Sequence, residues 1–515
     1  MIASNKKEYL ISIVIPTFNV EKTIENAFNS IFKQTIGFEN LEIIFVDDAS
    51  KDETRNKILE YSKNFENVKN IILSNNSGFP GKPRNIGIKH STAKYIMFLD
   101  ADDLINKCSL KYTSRFLDKH DEVDFVISRV RFFDSASKWH YMDYRFKSGK
   151  KIVDINEDIT YCQYHSTGIL IRRESISDIK FDGSIKFGED MKFMSTLIFK
   201  KGKFGIEKRS MLYYRKRQEE TSASQTQLKN KSYYLNTMED SFKWILDESK
   251  KRYGQIPPYF KYYIMNSISE RFVKTELEKS IHEILTDKEF KKYIDTFMYM
   301  LKLMGDDIIL MQNRLSLVHK YYLMNLLHDK KYKIKASLKD DIVTFNDISF
   351  PVKKSDICRI KDFKVKDDEY IITLSVSDYI FKPSLYLNDK KINVKEIHNE
   401  ESITEYYDIN FKKICEEKTY EVKCKVSEFK NFKVKVDEEE VLLFINPEVI
   451  SHNTLPCQYK KIKKDLIIFK DKKICKTNKL VRIKMLLFKI RNALYIVKRD
   501  GLRFTLHRIV EVIYG

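Results

Sequence analysis

The sequence lacks the features that define several large classes of protein. Its seven cysteines include no Cys-x-x-Cys pair, which disfavours both a zinc knuckle and a disulfide framework. No apolar run approaches the roughly 20 residues that span a bilayer, and no apolar leader precedes the first predicted strand. With 14 glycines, the chain has no Gly-x-Gly-x-x-Gly after that strand, which disfavours a dehydrogenase. We therefore expect a cytoplasmic protein that could bind peripherally to the cytoplasmic membrane.

The positive charge is concentrated at the C-terminal end of the chain. The net charge is +20, and residues 458–515 carry +13 of it, from 17 Lys and Arg against 4 Asp and Glu. This balance favours an anionic partner, namely a membrane surface, nucleic acid or an acidic polymer. The sequence contains no nucleic-acid-binding motif, so we do not expect nucleic acid as a partner.

Four apolar strands are predicted in the first quarter of the chain, and each ends in a polar cluster. They lie at residues 11–17, 41–48, 71–76 and 95–103. Helical patterns separate them, which predicts an α/β fold with a parallel sheet. Because a parallel sheet binds its ligand outside the carboxyl ends of its strands, we expect the four clusters to meet in one crevice.

The helices between these strands are predicted from spacing and from their first residues. Apolar residues at helical spacing predict a helix within residues 21–34. Ser50 followed by Glu53 predicts a capping box that opens the next helix. A turn rich in Gly and Pro predicts that a short third helix begins near Arg84.

The remainder of the chain divides by pattern into three further parts. After a domain at residues 1–227, a helical pattern predicts a linker over 228–335. Short alternating segments over 336–457 predict a β-rich accessory domain resembling a sandwich. The tail, 458–515, ends in a basic amphipathic helix predicted from residue 479, which could lie on anionic lipid or dock on the protein itself.

Four motifs in order carry a family resemblance over roughly residues 8–225. Ser12–Asn19, Val46–Asp52, Pro83–Ile88 and Phe98–Asp103 resemble the family 2 inverting glycosyltransferases of GT-A fold. Together with the segment Asn76–Asn85, the chain looks most similar to wall teichoic acid poly(ribitol phosphate) N-acetylglucosaminyltransferases. The resemblance implies a GT-A nucleotide-sugar-binding domain, and the larger members of that group also carry a helical linker and C-terminal β-domains.

The resemblance implies a pocket for a UDP-sugar at the strand ends. Asp48 would accept a hydrogen bond from the N3–H of uracil, and Asp100 would hold the ribose or assist a metal through water. Arg84 would bind the diphosphate, since a guanidinium offers fixed paired donors to phosphate oxygens, and Lys82 is a weaker candidate. Thr17 and Asn19 could instead cap a helix. The residues implied around the base and ribose are Pro16, Thr17, Asn19, Glu21 and Asn76.

A divalent cation, Mn²⁺ or Mg²⁺, is implied beside the diphosphate. Asp102 would be its ligand, since such cations choose carboxylate and phosphate oxygens. The segment with Arg217 and Ser222 resembles a loop that closes over the diphosphate. Many relatives place a metal-binding histidine there, whereas this chain has Arg217 or Gln218, and His165 is the nearest alternative ligand.

An inverting transfer also needs a base that takes the proton of the acceptor hydroxyl. Asp190 is assigned as that base by resemblance to the Glu-Asp motif of the family. Glu189 would orient Asp190 or contact the sugar. Asp103, beside the metal ligand, is interpreted as the cap of a helix that begins at Leu104.

These residues predict an enzyme that moves a sugar, with N-acetylglucosamine the best guess, from a UDP-sugar to a cell-envelope polymer. The acceptor would be an anionic polysaccharide or a polyol phosphate such as teichoic acid. A capsule or exopolysaccharide transferase with another UDP-sugar is an alternative. A basic membrane- or nucleic-acid-binding scaffold with an inactive transferase domain is an alternative of a different class. The β-rich part could bind polymer or form a homo-oligomer.

Overall fold

The structure is a computed structural model that describes residues 8–216, 227–273 and 281–328, together with parts of the chain from 334 to 476. The chain forms two compact units, residues 1–268 with 279–308, and residues 269–278 with 309–515. The parts described beyond residue 333 are 334–337, 342–345, 348–351, 358–376, 384–394, 396–397, 405–407, 413–416, 418–436, 439–440, 444–445, 458–462, 465–470 and 473–476.

A mixed sheet of nine strands forms the centre of the first unit. The strands are β1 (Ile11–Thr17), β2 (Leu41–Asp47), β3 (Val68–Ile72), β4 (Tyr95–Phe98), β5 (Leu104–Ile105), β6 (Phe125–Asp134), β7 (Ile152–Asp154), β8 (Leu170–Arg172) and β9 (Lys203–Lys216). Their order is β3-β2-β1-β4-β8-β6-β9-β5, and β7 pairs with β9. β1 runs parallel to both β2 and β4, as the alternation of strands and helices predicts.

Helices pack on this sheet and complete the α/β fold. α1 buries Ile24, Phe28 and Ile31, the three residues whose spacing predicts the helix. β2 is buried along its whole length, as expected for a continuous apolar run covered on both faces. The helices are α1 (Ile24–Phe32), α2 (Thr54–Asn64), α3 (Gly81–His90), α4 (Ser109–Lys119) and α5 (Glu189–Lys201), with short 3₁₀ turns at Phe38–Asn40, Tyr141–Phe146 and Arg173–Ile176.

α3 lies unusually close to β1. A Cβ added at Gly87 would lie 2.1 Å from Cγ1 of Val14, so only glycine fits at this contact. The close approach fixes the position of α3 beside the strand that ends in Thr17. It therefore also positions Arg84, which lies in the first half of α3.

Three local predictions are wrong in detail. α2 begins at Thr54 and its N-cap, Glu53, makes no side-chain cap bond, because Ser50 bonds to Asp47 instead of capping the helix. α3 begins at Gly81 rather than near Arg84, because proline is tolerated in a first helical turn. β3 runs from Val68 to Ile72, so the strand begins three residues before the predicted stretch 71–76, and most of that stretch is the polar cluster that follows the strand.

Helices continue after the sheet, as the helical pattern predicts. Thr286 and Glu289 form a capping box at the start of the longest of them. They are α6 (Lys231–Tyr234), a π-helical segment (Thr237–Lys243), α7 (Trp244–Tyr253), α8 (Pro258–Val273), α9 (Ile281–Ile284), α10 (Asp287–Met304), α11 (Asp306–Met311) and α12 (Leu317–His328), with a 3₁₀ turn at Gln227–Lys229.

The described part of the second unit is rich in β-structure beyond residue 333. β10-β11-β12, β19-β14-β13-β22 and β17-β18 form three sheets, and β16-β15-β20-β25-β24-β23 with β21 forms a fourth. The strands are β10 (Ile334–Ser337), β11 (Ile342–Phe345), β12 (Ile348–Pro351), β13 (Cys358–Lys366), β14 (Glu369–Val376), β15 (Ser384–Leu387), β16 (Lys390–Ile392), β17 (Glu405–Tyr407), β18 (Lys413–Glu416), β19 (Lys418–Lys425), β20 (Asn431–Val436), β21 (Glu439–Glu440), β22 (Phe444–Ile445), β23 (Gln458–Ile462), β24 (Asp465–Lys470) and β25 (Lys473–Lys476).

Asn388 and Asp389 form the tight turn between β15 and β16 with φ of 50° and 64°, in the left-handed region that two-residue hairpin turns require. Strands β23–β25 extend the sheet past residue 457, since β25 pairs with β20. The helix predicted from residue 479 lies outside the described residues. Among the described helices, none has the length and apolar character needed to cross a membrane.

Candidate active site

The carboxyl ends of β1, β2 and β4 lie side by side at one edge of the sheet. Thr17 is in register with Asp47, and Val14 with Phe98, two residues before Asp100. The Thr17 hydroxyl donates to Asp47 Oδ1 at 3.2 Å. The polar residues that follow these strands are therefore gathered at one edge, as the sequence predicts.

Asp48 receives several hydrogen bonds from the loop that follows β3. Its two carboxylate oxygens accept from the Ser77 amide at 2.9 and 3.0 Å, and one accepts from the Ser77 hydroxyl at 2.8 Å. Asn76 donates to the Asp48 carbonyl at 3.0 Å and accepts from the Gly78 amide at 2.7 Å. Asp48 and Asn76 are therefore together, and Ser77, which the sequence did not single out, orients the Asp48 carboxylate.

Asn19 and Glu21 join the loop after β1 to the loop after β2. Asn19 Oδ1 accepts from the Lys51 amide at 2.9 Å, and Glu21 Oε2 accepts from the Glu53 amide at 3.0 Å. α1 has Thr23 as its N-cap, so neither Thr17 nor Asn19 caps this helix. Pro16 is half-buried within β1, opposite Val46.

Arg84 is the centre of a buried cluster of charges. Its guanidinium lies 2.8 Å from Asp190, 3.0 Å from Asp100 and 3.4 Å from Glu189, and only 3% of the side chain is exposed. Burial alone would lower the pKa of Arg84, but the charges of Asp190, Asp100 and Glu189 outweigh it and raise the pKa. α3, β4 and α5 are thus joined through one cation, while Lys82, two residues before Arg84, is exposed.

Two of the acids around Arg84, Glu189 and Asp100, have pKa values above those of free acids. Burial, followed by the charge of Asp190, raises the pKa of Glu189 to about 8. Burial and the nearby charges of Asp102 and Asp190 raise the pKa of Asp100 in spite of Arg84. At neutral pH, Glu189 is therefore protonated and can donate a hydrogen bond.

Asp190 occupies the first turn of α5 and is held from two sides. Its Oδ1 accepts from Arg84 and, at 2.8 Å, from the hydroxyl of Ser166, a residue that no sequence motif indicates. Gly188 precedes the helix with φ of 89°. With 22% of its side chain exposed, Asp190 remains open to a substrate.

The turn before α5 is held by the π-helical segment. The Thr237 hydroxyl donates to the Phe187 carbonyl at 2.8 Å, and the Ser241 hydroxyl donates to the Gly188 carbonyl at 2.8 Å. A Cβ on Gly188 would lie 3.1 Å from both Ser241 Oγ and Thr237 Cγ2. The residues that fix the position of Asp190 therefore include two that lie some 50 positions later in the chain.

Asp102 and Asp103 lie in the turn between β4 and β5. Arg215 donates from its amide to Asp103 Oδ1 at 2.9 Å and from its guanidinium to the Asp102 carbonyl at 3.0 Å. The prediction that Asp103 caps a helix is wrong, because Leu104 begins strand β5 and not a helix, and Asp103 itself is buried. Burial and the charges of Asp100 and Asp102 raise the pKa of Asp103 well above its usual value.

A divalent cation fits this edge only if the protein and the substrate both supply its ligands. Within the described residues, no three His, Cys, Asp or Glu side chains form a ready-made metal site. Mg²⁺ is commonly held by one or two carboxylates plus substrate phosphates, which is the donor set that Asp102 and a diphosphate would provide. Asp103 supports this, since its Oδ2 is buried without a hydrogen-bond partner.

Two further predicted residues and one alternative ligand remain. Arg217 and Ser222 lie outside the described residues, as does Gln218. His165 directs Nδ1 to the Thr167 carbonyl at 3.1 Å, and its Nε2 is buried. Burial and the charge of Arg145 lower the pKa of His165 to about 4, so it is neutral.

Residues 12–180 match the profile of Glycosyl transferase family 2. The chain therefore carries a family 2 glycosyltransferase domain, and glycosyltransferases are a class of enzymes. This domain contains all the predicted site residues up to Asp102. The predicted acids Glu189 and Asp190 lie just beyond the matched residues.

Relatives that share sequence with this chain include the following three proteins. "Minor teichoic acid biosynthesis protein GgaB" of Bacillus subtilis is 28% identical over 326 residues, covering 63% of this chain and 36% of GgaB. "Poly(ribitol-phosphate) beta-N-acetylglucosaminyltransferase TarS" of Staphylococcus aureus is 29% identical over 228 residues, covering 43% of this chain and 38% of TarS. "UDP-Glc:alpha-D-GlcNAc-diphosphoundecaprenol beta-1,3-glucosyltransferase WfgD" of Escherichia coli is 38% identical over 97 residues, covering 19% of this chain and 36% of WfgD. The chain thus spans well under half the length of these relatives.

A solved structure of a similar protein supports the fold. The crystal structure of S. aureus TarS aligns with a TM-score of 0.55 and 16% identity, covering 91% of this chain and 85% of TarS. At this identity the likeness concerns the fold. It confirms a GT-A-like α/β sheet followed by additional C-terminal β-sheet regions.

Proposed function

We propose that the protein is an inverting glycosyltransferase that moves a sugar from a UDP-sugar to a hydroxyl of a teichoic acid polymer. The observation that carries the proposal is the position of Asp190. Its carboxylate accepts hydrogen bonds from Arg84 and Ser166 at the carboxyl edge of the sheet, and it remains partly exposed. A fixed, accessible carboxylate beside a cation has the properties of a general base.

Asp190 would take the proton of the acceptor hydroxyl as its oxygen attacks the anomeric carbon. The bond from that carbon to the diphosphate breaks in the same step, and UDP leaves with the bonding electrons. Arg84 at 2.8 Å and the Ser166 hydroxyl at 2.8 Å hold the carboxylate in place for this step. Protonated Glu189, the neighbouring acid, can donate a hydrogen bond to the sugar without adding negative charge beside the base.

The donor would bind along the ends of β1, β2 and β4. Asp48, already oriented by Ser77, would accept from the uracil N3–H, with Pro16, Thr17 and Asn19 beside it. Glu21, Asn76 and Asp100 would complete the base and ribose pocket. Since both terminal nitrogens of Arg84 contact carboxylates, we propose that Arg84 acts on the diphosphate chiefly through its charge. The roles of Arg217 and Ser222 stay predictions.

Asp102 would hold Mn²⁺ or Mg²⁺ together with the donor diphosphate. When bound, such a cation neutralises the charge that develops on the leaving diphosphate. Arg215 would keep the turn with Asp102 in place through its bonds to the Asp102 carbonyl and to Asp103.

The relatives suggest the chemical class of both substrates. The name of WfgD specifies UDP-glucose, which supports a uridine diphosphate donor. GgaB and TarS are named for teichoic acid and for poly(ribitol phosphate), which supports a polyol-phosphate acceptor, and TarS supports N-acetylglucosamine as the first sugar to test. The acceptor in the name of WfgD is a lipid-linked sugar, which keeps an exopolysaccharide transferase as the second candidate.

Action on the cytoplasmic face of the membrane and formation of a homo-oligomer are further parts of the proposal. UDP release from a panel of UDP-sugars with Mn²⁺ tests the function, with and without poly(ribitol phosphate). We expect Asp190→Asn to keep donor affinity within about twofold and to lower kcat for transfer by a factor of 10² to 10⁴. Equal loss of donor binding and transfer would mean that Asp190 is not the base. No binding or hydrolysis of any UDP-sugar would remove the proposed function.

A further inference from the structure

The first unit contains a cavity of about 430 Å³ that lies apart from the acidic edge. It lies among α4, the turn before β7, and the first half of β9, and its volume is within the range of small-molecule sites. We call it the α4–β9 pocket. Six cations line it against the single acid Glu207, and they are Arg115, Lys119, Lys150, Lys151, Lys208 and Arg209.

Two features of local structure direct these side chains into one place. Arg115 and Lys119 are four residues apart on α4 and so share one face of the helix. Ser128 of β6 pairs with Glu207 and Arg129 pairs with Met211, so residues 208–210 of β9 bulge out of the ladder. A bulge redirects the side chains it carries, here Lys208 and Arg209.

The positive charge of the pocket is not neutralised within the protein. Glu207 pairs with Arg209, whose Nε and Nη2 donate to the two Glu207 oxygens at 2.9 and 2.6 Å. Lys150 pairs with Asp158. Across the described parts of the chain, no carboxylate lies within ion-pair distance of Arg115, Lys119, Lys151 or Lys208. A concave surface with charge of one sign concentrates the opposite charge, so the pocket is suited to a polyanion.

The register of the sheet gives the separation between this pocket and the acidic edge. Glu207 pairs with Ser128 and Arg215 pairs with Phe133, five positions along β6. At about 3.3 Å per residue this is about 16 Å. Because Arg215 contacts Asp102 and Asp103, one flexible chain molecule could occupy both places.

We propose that the α4–β9 pocket binds phosphate groups of the acceptor polymer, several repeats away from the one that receives the sugar. This inference rests on the proposed function, since it assigns the pocket to the acceptor. A phosphodiester polymer carries a negative charge in every repeat and is flexible enough to enter a cavity. A bilayer surface carries the same phosphate chemistry but is flat, so the concave shape favours the polymer.

The test compares two full-length triple variants that remove the same charge. The site variant carries Lys119→Gln, Lys151→Gln and Lys208→Gln. The control variant replaces three exposed lysines outside the pocket with glutamine, and these lie at helix ends: Lys33, Lys63 and Lys89. Fluorescence anisotropy without donor measures affinity for labelled long-chain poly(ribitol phosphate). We expect the site variant to bind it about tenfold more weakly, with a shallower salt dependence, and the control variant within about twofold of wild type.

Transfer assays separate this inference from the proposed function. The KM for long polymer, divided by the KM for monomeric ribitol phosphate, should rise about tenfold in the site variant only. Equal polymer affinity of the two variants overturns the inference even if transfer proceeds normally. Binding that depends on the three lysines without any transfer to polyol phosphates overturns the acceptor role and the proposed function together. Loss of binding to vesicles of anionic phospholipid, with polymer binding unchanged, would assign the pocket to a membrane instead.

Discussion

Replacing Arg84 with methionine tests whether one buried cation holds the acidic edge together. The change keeps a long side chain but removes a guanidinium that contacts Asp190 at 2.8 Å, Asp100 at 3.0 Å and Glu189 at 3.4 Å. Because only 3% of the Arg84 side chain is exposed, water cannot replace the guanidinium without opening the site. The carboxylates would then face one another without a counter-ion.

The size of the effect follows from the burial of the cluster. Removing one partner of a buried ion pair costs about 3–5 kcal/mol, because an uncompensated charge is left behind. Since Arg84 contacts Asp190 and Asp100 as well as the protonated Glu189, we expect a loss of about 4–5 kcal/mol at pH 7.5. For a unit of this size, about 2 °C corresponds to 1 kcal/mol, so its melting temperature should fall by about 8–10 °C.

Calorimetry and circular dichroism of the full chain measure this loss. Arg252→Met is the matched control, since the Arg252 side chain is 45% exposed and pairs with Glu248 on the surface of α7. Such exposed pairs contribute about 0–1 kcal/mol. If Arg84→Met also costs less than about 1 kcal/mol, the carboxylates must neutralise one another by sharing protons, and the role given to Arg84 is refuted.

Two further predictions concern stability. Burial raises the pKa of Glu189 from 4.5 to about 8, so the stability that its proton confers is complete below pH 4.5 and is lost as the pH rises to about 8. Between pH 5 and 9, wild type should lose about 4 kcal/mol relative to Glu189→Gln in urea unfolding without added metal, and parallel pH curves would contradict this. Gly87→Ala should destabilise the first unit by about 2–3 kcal/mol through its clash with Val14. Gly183→Ala, with open space at its Cβ, should change stability by less than about 0.5 kcal/mol, and equal effects of the two changes would mean that α3 can move away from β1.

The sequence was most informative where a pattern repeats within a short segment. β1 and β2 are continuous apolar runs, and each is followed by residues that the structure places at the sheet edge. The helix containing Phe28 follows from spacing alone, because its apolar face must meet the sheet. Parallel neighbours then bring Thr17, Asp48 and Asp100 to the same edge without further information.

The sequence was least informative where distant segments compete for one side chain. Ser50 has the spacing of a helix cap, but in the structure it bonds to Asp47 at the end of β2 instead. Asp103 precedes an apolar pair that reads equally well as helix or strand, and pairing of Leu104 with Tyr213 decides for the strand. Ser166 has no local signal, because its importance comes from a contact with Asp190, 24 positions later.

The hydroxyls of Thr237 and Ser241 have a consequence for exchanging parts between related transferases. They secure the backbone from which Asp190 projects, although they belong to the helical segment beyond the sheet. A chimera joined at residue 227 would combine Asp190 of one parent with the Thr237 and Ser241 positions of the other. Grafts that keep the native sequence through Ser241 should preserve turnover better than grafts that end at the last strand.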